Sequence, residues 1–128
     1  MLPINSLIDD PALGAAQRAL DGLSLQQQVI SRNIANVDTP GYQTRDVDFR
    51  SQFAALMNNG GENDGTQPAM PPVIEVPGLT ERPDGNNVNI DREGLALGQV
   101  QLQFATGVAL LKTELHRLSA AIHEGAQP

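Results

Sequence analysis

Two heptad-patterned segments, one near each end of the chain, commit it to helix packed on helix. In the first, Leu13, Leu20 and Ile34 lie on a seven-residue repeat, and Ala16, Leu23, Ile30 and Val37 form a second repeat offset by three. Only Gln27 interrupts the stripe. Apolar residues at this spacing share one helical face, and such a sustained pattern is the signature of coiled-coil-like packing. Asp10 suits an N-cap and Pro11 the first turn.

The second segment repeats the design. Leu97, Phe104, Leu111 and Leu118 make one column, and Val108, Leu115 and Ile122 continue a partner column that begins with Gly94 and Gln101. Leu95, Leu102 and Ala109 widen the stripe, which implies contact with more than one neighbour. Asn89 or Asp91 can cap the start, Asp91 and Glu93 suit the positive end of the helix dipole, and Gly125 and Pro128 mark the end. Gly94, Gly98 and Gly107 each cost about 1 kcal/mol relative to Ala in an exposed helix, so close approach of a neighbour is expected there. Gln27 and Gln101 either place polar groups in the seam or face water.

Between the two, turn signals crowd together: Asn58-Asn59-Gly60-Gly61, Asp64-Gly65, Pro71-Pro72, Pro77-Gly78 and Pro83-Asp84-Gly85. Val73, Ile74 and Val76 suit one short extended segment. A loop of about 30 residues is unusual in a compact monomer and more natural in a subunit that orders it against a partner. The fold expected is mostly α: two long N- and C-terminal helices packed as an antiparallel coiled-coil-like hairpin, with an irregular Pro/Gly-rich central segment. The divisions are an N-terminal contact segment over 1–9, a helix and exit turn over 10–56, a flexible or assembly-ordered loop over 57–88, and a second helix over 89–124.

Composition narrows the function classes. Only 3% of the residues are aromatic against 40% hydrophobic, so the core must come from Leu, Ile, Val and Ala. The net charge is −7 and the eight basic residues are scattered, which argues against nucleic acid and anionic membranes as partners. There is no cysteine, hence no disulfide or thiolate metal site. No cleavable signal pattern opens the sequence, and the uninterrupted apolar runs fall far short of the about 20 residues that a membrane helix needs.

An enzyme is not expected, and neither a catalytic residue, a cofactor nor a metal is assigned. His116 and His123 are seven residues apart, unlike the i, i+4 pair that binds zinc from one helix. A calcium loop begun at Asp84 puts Val88 at a ligand position and Asn89 where Gly is needed.

The most distinctive stretch runs from Ser31 to Tyr42. Asn33, Ile34, Ala35 and Asn36 complete a helix exit in which the asparagines can bond the last free backbone groups. Thr39-Pro40-Gly41-Tyr42 then fits a type II turn, with Pro setting the first central residue and Gly taking positive φ at the second.

This string resembles the N-terminal signature of flagellar axial proteins, the rod and hook family. Arg45-Asp46-Val47-Asp48-Phe49 and the segment Asp84, Gly85, Asn86, Asn87, Val88, Asn89, Ile90, Asp91, Arg92, Glu93 are similar to the post-turn motif and the C-terminal helix start of its proximal-rod branch. The resemblance covers residues 10–50 and 84–122. Departures are Gly94 where Met is usual, Asn89 where Asp is usual, and Phe104-Ala105-Thr106 in place of aromatic-Gln-Ala.

The resemblance implies a structural subunit exported through the flagellar type III apparatus without a cleaved signal. Its helices would stand around a central channel in the periplasmic rod. Implied partners are self copies, FlgC-like rod proteins, a FliE-like ring-to-rod adapter and the export gate, with Leu2, Ile4, Leu7 and Ile8 as a candidate gate contact. Two alternatives are weighed against it: a FlgC-like subunit, and a small acidic helical export chaperone or adaptor.

Overall fold

The computed structural model describes residues 11–58 and 70–125. Asp10, the contact segment over 1–9, the Gly60-Gly61 and Asp64-Gly65 signals and Pro128 lie outside the described residues.

Helix α1 spans Pro11–Ala35, strand β1 Arg45–Val47, helix α2 Phe49–Asn58, strand β2 Val73–Glu75 and helix α3 Ile90–Gly125. The described chain is mostly helical, and the long N- and C-terminal helices pack on one another. Asn33 meets Glu93, and a Cβ placed at Gly107 would lie 2.9 Å from Leu20 Cδ2. As α1 is followed backward from Asn33 to Leu20, α3 is followed forward, so the two run in opposite directions. At 1.5 Å per residue α1 is about 38 Å long and α3 about 54 Å.

The fully buried apolar residues are Val29, Ile30, Val47, Val88 and Val100, gathered where α1 ends and α3 begins. Burying a side chain of this kind contributes about 1.5–3 kcal/mol, while ordering each residue's backbone costs about 1–2 kcal/mol. So small a core anchors the junction but cannot by itself hold the far turns of a 36-residue helix.

β1 and α2 were absent from the expected outline. β1 and β2 pair antiparallel in the register Arg45↔Glu75, Asp46↔Ile74, Val47↔Val73. The ladder is extended by Asp48 N donating to Pro72 O at 2.8 Å and Val76 N to Thr44 O at 2.9 Å. The short extended segment expected near Val73 is thus a strand of a two-stranded sheet, and the described part of the supposedly irregular centre is organised around it. Asp48 then starts α2, its carboxylate accepting the Ser51 N–H at 3.1 Å, and hydrogen bonds from Ser51 hold its pKa below the ordinary aspartate value. Phe49 docks α2 on α1: a Cβ at Gly22 would meet its ring at 2.9 Å.

The α3 seam also differs from the expected one. Its buried positions are Glu93 and Val100, with Gly107 half-buried one heptad further on. Leu97, Val108, Leu111 and Leu118 flank them half-buried, whereas Phe104, Leu115 and Ile122 are 36, 50 and 53% exposed. On α1, Leu13, Leu20, Leu23 and Ile34 are half-buried, and Ile30 is buried together with Val29, which lies off the expected stripe. Gln27 and Gln101 face outward. Gly107 meets Leu20 as close packing requires, but Cβ atoms at Gly94 and Gly98 would meet nothing.

Among the described residues α3 alone is long and apolar enough, by length and composition, to cross a membrane. The apolar runs judged too short are interrupted by Gln99, Gln101 and Gln103 yet still average an apolar window.

Candidate assembly site at the helix junction

The exit signature and the start of α3 come together in one buried polar junction. Asn33 sits in the last turn of α1 and is fully buried. Its Nδ2 donates to Arg45 O at 2.8 Å and to Glu93 Oε2 at 3.0 Å, while its Oδ1 accepts Tyr42 Oη at 3.0 Å and Arg45 N at 3.1 Å. One amide therefore ties α1 to the turn, to β1 and to α3. Glu93, only 1% exposed, takes its second partner from Arg92 Nη1 at 2.6 Å, and Arg92 also approaches Asp46 at 3.6 Å. A carboxylate this deeply buried needs such donors, since an unpaired one costs several kcal/mol.

The exit turn forms as the residues dictate. Asn36 Nδ2 donates to Arg32 O at 2.7 Å, a carbonyl that also accepts the Asn36 N–H at 3.1 Å, and Tyr42 N donates to Thr39 O at 3.2 Å across Pro40-Gly41. Gly41 has φ +75°, the value that the second central position of a type II turn requires. Ile34 is half-buried and Ala35 exposed beside it.

The strand of chain entering α3 docks against this turn. Gly41 N donates to Asp84 O at 2.9 Å, and Asn87 N donates to Tyr42 O at 3.3 Å. Asn86 Nδ2 donates to the carbonyls of Asn36 and Thr39 at 2.9 and 2.8 Å. Asn87 accepts Thr44 N at 2.6 Å and donates to Gln43 Oε1 at 2.8 Å, and Gln43 Nε2 reaches Gly85 O at 2.7 Å. Gly85 (φ +83°) lies so close that a Cβ would stand 3.4 Å from Gly41 Cα. Asn89 caps α3 by accepting the N–H groups of Asp91 and Arg92.

Of the residues singled out from sequence, Asn33, Asn36, Thr39, Gly41, Tyr42, Asp84, Gly85, Asn87, Val88 and Glu93 meet here. Pro40 and Asp91 remain on the surface. Missed were the Asn86 side chain, Gln43, the fully buried Thr44 and Val47. Asn86 alone carried a usable signal, as an asparagine after Asp-Gly where turn carbonyls need donors. Thr44 Oγ1 is buried without a hydrogen-bond partner. Among the described residues no group of three or more His, Asp or Glu gathers as a metal site would.

Residues 13–43, which include α1 nearly whole and the exit turn, match the family described as "Flagella basal body rod protein". The relatives extend the match to the junction's second half. "Flagellar basal body rod protein FlgB" of Salmonella typhimurium is 32% identical over 133 residues, covering 91% of this chain and 96% of the relative. The proteins of the same name from Escherichia coli and Yersinia enterocolitica are 31 and 30% identical, with the same coverage. None of these names describes an enzyme, and neither the FlgC-like subunit nor the acidic chaperone is favoured by them. Identity of this extent, spanning both halves of the polar junction, shows that the chain belongs to the FlgB family of flagellar basal body rod proteins.

Proposed function

We propose that this subunit helps form the proximal rod by placing its α1–α3 pair, a coiled-coil-like antiparallel hairpin, around a central channel. There the pair serves both as drive shaft and as wall of the export conduit. The observation that carries this reading is the apolar surface α3 leaves outside its seam with α1, including Leu102 at 70%, Leu110 at 66% and Ile122 at 53% exposure. Helices with apolar residues on most sides belong inside a larger packed body. Copies of the same chain, FlgC-like rod proteins, a FliE-like adapter and the export gate are the partners that fit a periplasmic rod subunit exported without a cleaved signal.

Complementation of a strain lacking its own rod protein tests this. Leu111→Ala, at a half-buried position of the α3 stripe, removes packing of a kind usually worth about 2–5 kcal/mol when fully buried. It should reduce swimming and the yield of basal bodies, while Lys112→Ala on the exposed side leaves both intact. Equal behaviour of the two variants contradicts the role given to that stripe.

A further inference from the structure

Two surfaces of one subunit match each other without being the same surface. The first is a second apolar face on α3. Leu95, Gly98, Leu102, Ala105 and Ala109 follow one another at steps of three and four, the spacing of a helix seam. All of them are exposed, and they point away from the Glu93–Val100–Gly107 line that faces α1. No charged residue occurs from Gly94 to Leu111. The face opens one turn earlier with exposed Asp91.

The second surface is a groove of about 660 Å³ between the three helices, with an apolar floor of Ala15, Ala19, Leu23, Phe49, Phe53 and Val100 and four uncharged glutamines among its lining, Gln26, Gln52, Gln99 and Gln103. Phe53 remains 65% exposed in it. Arg18 is the one charged residue in its lining, and it forms no ion pair among the described residues. From Ala15 to Gln26 the groove follows α1 for about 16 Å, and Asp91 to Leu102 rises about 16 Å, so the groove takes the first half of the face.

Resting on the rod-subunit reading above, we infer that the Leu95–Leu102 half of this α3 face from a second copy of this chain docks in the Leu23–Phe53–Val100 groove. Asp91 of that copy lies against Arg18 and sets the direction of entry. Charge complementarity selects the occupant: an uncharged apolar helix face preceded by a carboxylate fits an apolar floor whose single charge is a guanidinium. Because face and groove are different patches of one molecule, the contact is heterologous, and repeated it builds a helical filament instead of closing as a dimer.

The chain has no cysteine, so engineered thiols report this contact alone. Ala19→Cys and Leu95→Cys are both at exposed positions and should not disturb folding. With a short bis-maleimide, the double variant should give a ladder of dimers, trimers and longer species. The two single variants mixed should give dimers only, and neither alone should link. Arg18→Asp should abolish the ladder, and adding Asp91→Arg should restore it. Linking of Leu95→Cys to itself, or no ladder from a double variant that sedimentation shows to be assembled, overturns the pairing while leaving the rod reading intact. Absence of both ladder and assembly overturns both.

Discussion

Asn33→Ala should destabilise the subunit by about 3–5 kcal/mol, the usual cost of removing one partner from a buried charged contact. The amide serves four groups at once, and its loss leaves the buried Glu93 carboxylate with Arg92 alone and removes the partner of the Tyr42 hydroxyl and of both backbone groups of Arg45. Leaving a buried polar group unsatisfied costs about 1–3 kcal/mol even when it is uncharged. Total stabilities are typically only about 5–15 kcal/mol, so the variant should loosen α1, β1 and α3 together. Asn36→Ala is the comparison: its amide bonds Arg32 O and the Thr39 hydroxyl at the surface, and each such loss should cost about 0.5–1.5 kcal/mol. Urea midpoints of the two variants decide between them. Similar shifts would remove Asn33 from the centre of the junction.

Gly85→Val should harm the subunit more than Gly41→Val, although both glycines have positive φ. A left-handed conformation costs an L-residue about 1–2 kcal/mol, and both variants bear that strain. At Gly41 nothing lies within 4 Å of an added Cβ, so the strain stands alone. At Gly85 the Cβ alone already stands in contact with the Gly41 backbone at 3.4 Å, so the two γ-methyl groups of Val have little room beyond it. Overpacking of this kind adds about 1–3 kcal/mol and pushes the α3 entry segment off the exit turn. Thermal unfolding should rank wild type, Gly41→Val and Gly85→Val in that order, and swimming should follow the same order. If Gly41→Val proves the worse, the turn's own geometry outweighs the docking of the two segments.

What was legible in the sequence was local. The α1 stripe, the Pro40-Gly41 turn and the Asn89 cap each follow from residues within one or two turns of one another. The buried α3 column was not legible, because Glu93, Val100, Gly107 and Glu114 read as a mostly polar series. Beside it run columns richer in Leu, and periodicity cannot choose among several apolar faces of one helix. The roles of Asn33 and Asn86 were equally hidden: their partners lie 60 and 50 positions away, and no local pattern predicts which asparagine will be buried. The β1–β2 pairing is hidden for the same reason, since three-residue strands carry too short an alternation to register. The segments that carry the family resemblance are nonetheless the ones that meet at the junction. The structure supplies the reason its two halves occur together: one is the helix exit, and the other supplies the donors and the carboxylate that fasten it.

The central claim is that the subunit's small junction core is fixed within one chain while the apolar surface of α3 is completed by other copies. Circular dichroism with sedimentation velocity on the full chain, from dilute to concentrated, tests it most directly. Partial helicity when dilute, from the junction core alone, that rises together with large species on concentration is the predicted result. A fully helical monomer or dimer, unchanged over the whole concentration range, would contradict it.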